Sequence, residues 1–346
     1  AGLLRARSPK LYQLAHPSLR ATITAYADRH GRLQAHHQNC AELVRLHGRG
    51  PNRFGLIGQH LLSGGRPREA LGFLYQGVIR AVDEAATGRA RELLAIWQLA
   101  LDELDPPASD PLRGDHHYMR CRLAMVGFDV DECRREFTAL GRLATEHDWP
   151  RHLARAAALE AQLAHQLGDA SECLRLLPRA INLADAAGDR LTSARTRLEM
   201  AQVLNQQGMS KAAAPWIAEA RKVYEQDHVA IGEATCLLLS ATIAFSAGRY
   251  DEAQGVAEAA RHMGAKAGAL TIQGFAMSII GEVHRKAGRP DMARRAYHKA
   301  LSMFHGVGAE AHGIPCELNL ALLHQDDGED EAAVEILNAC IERLHR

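Results

Sequence analysis

The sequence predicts an all-α fold: an α-α superhelix, or solenoid, of about seven 40-residue helical hairpins preceded by N-terminal helices. Three observations predict it. Apolar residues make up 47% of the 346 positions while aromatics supply only 5%, a balance that favours close-packed helices over sheet. Related stretches also recur at a constant step: "AGRPDMARRAYHKAL" at Ala287 to Leu301 follows "AGRYDEAQGVAEAAR" by 40 residues, and that follows "QGMSKAAAPWIAEAR" by 40 more. Finally, a glycine stands just ahead of each such helix, which marks tandem units rather than one long helix.

Residues 1–50 do not obey the step and are expected to form a separate N-terminal helical segment, with the solenoid over 51–346. Within the array a small-residue column reads Cys133, Cys173, Ala213, Ala253, Ala293 and Ala333, and extends back to Leu93. Four residues on comes a larger column of Trp97, Phe137, Leu177, Ile217, Ala257, Tyr297 and Leu337, and three further on Ala100, Leu140, Ala180, Ala220, Ala260, Ala300 and Cys340. The i, i+4, i+7 spacing puts all three on one helix face. The preceding glycines are Gly88, Gly127, Gly168, Gly208, Gly248, Gly288 and Gly328, with Gly127 one residue early, so that turn is expected to hold one extra residue. Upstream of each lies a second apolar-periodic run, so each unit is a hairpin whose apolar side only the next unit covers. The glycines and the second breaks at Gly188 and Gly268 exclude a continuous coiled coil. The last stretch, "AAVEILNACIERL" at Ala332 to Leu344, leaves Leu337, Ile341 and Leu344 in need of cover.

These columns resemble the tetratricopeptide repeats. "GEVHRKAGRPDMARRAYHKAL" at Gly281 to Leu301 carries that family's small first-helix residue (Gly281), turn glycine (Gly288), early alanine (Ala293), aromatic (Tyr297) and later alanine (Ala300). The resemblance runs from about Gly77 to Arg346, departs at Ala257, where a bulky residue is usual, and lacks the terminal proline of the short form. The 40-residue step is similar to the longer variant of large bacterial signalling regulators. Upstream, Tyr12, His16, Leu19, Arg20, Arg32, His36, His37, Ala41, His60, Gly64 and Ala70 resemble the junction at which the ATPase module of STAND-type regulators, multidomain bacterial Ser/Thr kinases and LuxR-like, maltose-regulator-type activators passes into a helical array. The resemblance implies that residues 1–50 are the tail of a winged-helix or ATPase module. The chain begins with Ala1 rather than Met and is expected to be an excised or processed piece.

Composition and motifs narrow the chemistry. Lys plus Arg and Asp plus Glu balance at 41 each, so no global field draws the chain to nucleic acid or to anionic membranes. No run is long and apolar enough for a membrane span, and the seven cysteines lack a CxxC, which fits a cytoplasmic protein. GxxxxGK[ST], HExxH and GxSxG are missing, so no catalytic residue, cofactor or metal is expected and the chain is read as not an enzyme. Among the histidines, His284 and His324 share a register position but no carboxylate or thiol shares it, so both are read as packing or surface residues. Cys133 and Cys173 are read as inert core filler.

Function then falls to shape. The resemblance implies that the first helix of each unit lines a concave face. Counted from the turn glycines, that face presents Arg155, Gln162, His165 and Gln166, then Arg195, Gln202, Asn205 and Gln206, then Thr235, Thr242, Phe245 and Ser246, then Phe275, Glu282, Arg285 and Lys286. Amides and arginines suit an extended peptide or a carboxylate, and the two phenylalanines suit side-chain anchors. The expected function is a non-catalytic interaction scaffold, the sensor arm of a larger bacterial signalling or transcription regulator, whose partner is a protein or peptide segment or a small effector. The alternative is a self-assembly module that forms a homo-oligomer through the C-terminal end.

Overall fold

The helices of the array end on a residue in the left-handed region, and these residues recur every 20 positions: Phe128, Asp148, Gly168, Gly188, Gly208, His228, Gly248, Gly268, Gly288, Gly308 and Gly328, with φ between 54° and 78°. The amide that follows each donates to a carbonyl five residues back, as from Asp169 to Ala164 at 3.0 Å and from Arg289 to His284 at 2.9 Å. This is the Schellman termination, which satisfies the last carbonyls of a helix and reverses the chain. Gly127 is therefore not the residue that makes its turn. It has an ordinary φ of −86°, Phe128 fills the register position, and the turn holds no extra residue. Gly88 is likewise displaced in this role by Ala85, at φ 54°.

The computed structural model describes residues 4–8, 11–14, 17–50 and 52–344. His16, and the side chains of Tyr12, Arg20 and Leu344, lie outside the described part. The chain forms two compact units, Ala1–Ile79 with Glu92–Pro106, and Arg80–Arg91 with Pro107–Arg346.

In the first unit the N-terminal stretch, expected to be helical, opens instead with strands β1 (Leu4–Ser8) and β2 (Leu11–Leu14), paired antiparallel with Leu4 opposite Leu14. Helices α1 (Pro17–Arg29), α2 (Leu33–His47), α3 (Arg53–Ser63), α4 (Pro67–Asp83) and α5 (Thr87–Leu104) follow, the last two crossing the boundary between the units. His37 and His60 join α2 to α3 through their Nδ1 atoms at 3.0 Å. A Cβ on Gly58 would stand 2.6 Å from Leu74 Cγ, so α3 and α4 lie close only because position 58 is glycine. Trp97, fully buried on α5, meets Tyr75 edge-on with ring centres 6.1 Å apart.

The second unit contains six helical hairpins: α6 (Leu112–Val126) with α7 (Val130–Glu146), α8 (Pro150–Gln166) with α9 (Ala170–Ala186), α10 (Arg190–Gln206) with α11 (Ser210–Gln226), α12 (Ala230–Ser246) with α13 (Tyr250–Ala267), α14 (Leu270–Lys286) with α15 (Pro290–Gly306), and α16 (Ile314–Asp326) with α17 (Asp330–Leu344). Aspartates at 129, 169 and 189 cap α7, α9 and α10 by accepting the amide three residues on. First helices also pack on first helices, α6 on α8, α8 on α10, α10 on α12, α12 on α14 and α14 on α16, and so form a continuous inner layer. The segment from Arg80 to Arg91 belongs to this unit as well: Arg80 Nη2 donates to the Gly268 carbonyl at 3.4 Å and Thr271 Oγ1 to the Glu84 carbonyl at 3.4 Å.

The register columns are the core. Cys133, Cys173, Ala213, Ala253 and Ala293 are buried, as are Leu140, Ala180, Ala220, Ala260, Ala300 and Cys340. Burial pushes the Cys173 and Cys236 thiols up to about 12, which keeps both protonated and inert. Tyr297 is buried because its ring lies where a Cβ on Gly281 would be, 2.5 Å from Cε1, so the small first-helix residue and the aromatic of the same unit are one packing solution. Leu337 breaks the column: it is 39% exposed.

Candidate functional site

A small open cleft lies on the inner layer, lined from α6, α8, α9 and α10. At its centre is Tyr118, buried on α6. Arg195 on α10 donates from Nη1 to the phenol oxygen at 2.7 Å, while the guanidinium of Arg155 on α8 stands 5.0 Å from the ring centre and that of Arg122 stands 5.9 Å away. Gln162, Thr196 and Glu199 complete the polar wall, and Leu159 and Leu177 the apolar one.

The three arginines differ in what holds them. Arg155 is fully engaged, donating to Asp115 Oδ1 at 2.9 Å and to Asp189 Oδ2 at 3.0 Å. Asp189 in turn caps α10 and accepts from Thr192 Oγ1 at 2.9 Å, so Arg155 is part of the frame of the cleft. Arg122 bonds Asp83 through Nη2, yet its Nη1 is buried without a hydrogen-bond partner. Arg195 has no carboxylate within ion-pair distance among the described residues. Burial pushes the Tyr118 phenol up, but Arg195, Arg122 and Arg155 together outweigh this and hold it below the ordinary phenol value, with Asp83 opposing them. The Tyr118 oxygen, and then Asp83, keep Arg195 firmly protonated against its own burial.

Of the residues expected on the concave face, Arg155, Gln162 and Arg195 meet in this cleft. His165 lies beside it, bonded to Glu199 and, through Nε2, to Gln206 Oε1 at 2.8 Å. Glu199 raises the His165 pKa by that hydrogen bond. Gln166 donates to the Met125 carbonyl at 3.3 Å, and Asn205 accepts from Ser210 at 2.8 Å. Gln202, Ser246 and Lys286 are exposed. Thr235 and Thr242 bond carbonyls of their own helix, Ile231 at 2.9 Å and Leu238 at 3.0 Å. Phe245 meets Tyr250 at 5.5 Å between ring centres, and Phe275 meets Phe304 edge-on at 5.2 Å and His312 at 5.1 Å, with Phe275 still 36% exposed. Glu282 and Arg285 are half-buried, and Arg285 Nε is sealed without a partner. None of the α12 and α14 residues lines the cleft.

Tyr118, Arg122 and Asp115 are additions to that set. Asp115 and Arg122 fall 40 residues before Arg155 and Gln162, so carrying the row one unit further back selects them. Tyr118 carries no such signal, because its position in the row is occupied by Ala158 and Leu198 in the next two units. Among the described residues no cluster of three or more His, Cys, Asp or Glu is arranged to hold a metal ion. His284 is buried with Nδ1 unpartnered, and His324 bonds Glu329 at 2.6 Å.

Helix pairs repeated at a 40-residue step, with first helices packed on first helices, define a tetratricopeptide-like helical solenoid. The family model of soluble NSF attachment protein, SNAP, matches residues 129–262. No curated protein matches the chain. Among solved structures, NprR in complex with its cognate peptide NprX is 14% identical with a TM-score of 0.56, the match covering 78% of this chain and 77% of NprR. Aspartyl phosphate phosphatase F from Bacillus subtilis is 13% identical with a TM-score of 0.55, covering 87% of this chain and 73% of that one. A signal transduction ATPase with numerous domains (STAND) and a tetratricopeptide repeat sensor, from Pyrococcus horikoshii, is 11% identical with a TM-score of 0.53 over 99% of this chain and 57% of its own. At these identities the likeness is one of fold. No helix among the described residues is long and apolar enough to cross a membrane.

Proposed function

We propose that the chain is a non-catalytic interaction scaffold, the cytoplasmic sensor arm of a larger bacterial signalling or transcription regulator, and that it receives a peptide segment or small effector on the inner layer of first helices. The observation that carries this reading is the cleft at Tyr118, where Arg122, Arg155 and Arg195 are gathered on that layer. A peptide complex of NprR and a tetratricopeptide sensor in a STAND ATPase, both similar in fold, support it. On the same reading the β1–β2 ladder and α1–α2 are the tail of a preceding winged-helix or ATPase module. The test is panning of a random peptide display library, followed by calorimetry of the selected peptides. Gln202→Trp and Thr242→Trp, which add bulk to exposed positions of α10 and α12, should weaken binding, whereas Arg175→Trp on the outer helix α9 should not. Peptides indifferent to the inner pair would refute the assignment.

A second reading, self-assembly, rests on one observation: Val334 (54% exposed), Ile341 (51%) and Leu337 (39%) on α17 stand uncovered at the end of the array. If a second copy covers them, the solution mass rises with concentration, and Leu337→Glu with Ile341→Glu returns it to one chain.

A further inference from the structure

The neutral sum of charges hides a division along the chain. Residues 1–66 hold ten Lys and Arg against two Asp and Glu, although the chain as a whole holds 41 of each sign, so the remainder is acidic by the same margin. The acid is densest at the other end, where residues 326–346 hold seven Asp and Glu against two Arg. Both regions also expose apolar side chains. Leu43 (58% exposed) and Leu46 (69%) stand one turn apart on α2, on the side away from buried Ala41, with Arg45 between them in sequence and Arg49 just past the helix end. Leu56 on α3 is exposed too, and Arg53 of that helix donates to the Arg45 carbonyl, which brings the basic end of α2 against the start of α3. On α17, Val334, Leu337 and Ile341 recur at i, i+3 and i+7 and so share one face, edged by exposed Asp330, Glu331 and Glu335. Those three carboxylates, and Arg49 at the other end, have no ion-pair partner among the described residues.

We propose that the α2–α3 face of one chain receives the α17 face of a second copy, in a head-to-tail contact. This rests on the self-assembly reading above and supplies the surface that covers the α17 stripe. Charge decides the pairing. Two α17 faces would bring like charges together, as would two α2–α3 faces, and like-charge juxtaposition across an interface is costly. One face of each kind brings opposite charges together around apolar area contributed by both sides. Leu43 and Leu46 then lie over Val334, Leu337 and Ile341, while Arg45 and Arg49 meet Glu331 and Glu335. Such a contact is heterologous: every assembly keeps one free face of each kind, and growth continues until a ring closes.

The test is analytical ultracentrifugation of the whole chain as wild type and as two variants, Leu46→Glu with Arg49→Glu and Leu337→Glu with Ile341→Glu. All four positions are exposed, so circular dichroism should show unchanged helix content. The wild-type mass should climb past two chains with concentration, and about 0.5 M NaCl should weaken the association roughly tenfold by screening opposite charges. Each variant alone should stay at one chain. Mixed in equal amounts, the two should form a pair and stop there, since one brings an intact α17 face and the other an intact α2–α3 face. Self-association of the α2 variant at the wild-type level, or a wild-type assembly tightened by salt, overturns the head-to-tail contact and leaves the self-assembly reading standing. A random-sequence oligonucleotide retained by a wild-type chain of unchanging mass gives the basic face to nucleic acid and overturns the proposal. A mass of one chain at every concentration refutes both the contact and the self-assembly reading.

Discussion

Replacing Phe128 with glycine should stabilise the array. Phe128 sits at φ 55°, in a register position that glycine fills at 168, 208, 248, 288 and 328. The left-handed region costs a residue with a Cβ about 1–2 kcal/mol. Glycine returns about 0.5–1 kcal/mol of that through its greater freedom in the unfolded chain. The side chain is 71% exposed, so its removal forfeits little burial. The net expectation is a gain of about 0.5–1 kcal/mol. Urea denaturation gives the midpoint, and hydrogen exchange at α6 and α7 amides localises the change, since a solenoid can open unit by unit. Gly168→Ala is the mirror experiment: at φ 78°, with nothing within 4 Å of the added Cβ, it isolates the backbone cost and should lose a similar amount. A destabilised Phe128→Gly chain, or a neutral Gly168→Ala chain, would refute the reasoning.

Gly281→Ala should cost about 1–3 kcal/mol by overpacking, since its Cβ would meet Tyr297 Cε1 at 2.5 Å, and chemical denaturation reads it directly. Asp189→Ala removes the α10 cap and one of the two carboxylates that hold Arg155, a loss of about 1–3 kcal/mol that thermal and urea unfolding should report together. The His165 pKa is raised by Glu199 above its ordinary 6.5, so its contribution to stability is complete below that value and is lost as pH rises through the raised one. His165→Gln should therefore cost more stability at pH 5 than at pH 8, measured as the urea midpoint at each pH; a gap that widens with rising pH would contradict the ion pair.

The repeat was legible because its physics is local. The interval between Cys133, Cys173 and Ala213 records a small side chain where two helices of a hairpin touch, and each copy reports the same contact. Gly127 is the exception, because Phe128 rather than the glycine holds the left-handed conformation, which shows that position in the turn outranks residue type. The N-terminal strands offer no such signal, because segments of five and four residues are too short to show a period. Arg155 and Arg195 were legible as inner-face residues, but their different states were not: Asp115 and Asp189 reach Arg155 from neighbouring turns, while Arg195 meets the Tyr118 oxygen instead. Phe245 and Phe275 were legible as inner-face aromatics, but the rings beside them, Tyr250 and Phe304, come from the partner helix of each hairpin and were not.

The left-handed residues fall at intervals of 20, yet helices alternate between the inner layer and the outer one. A duplication or loss of coding sequence for 40 residues thus keeps every later helix on its own side, while a change of 20 would turn the remaining chain inside out, sending Gln202 and Thr242 outward and Arg175-type surfaces into the hollow. The array can lengthen or shorten in evolution only by whole hairpins, and its receptor surface is inherited in steps of the same size.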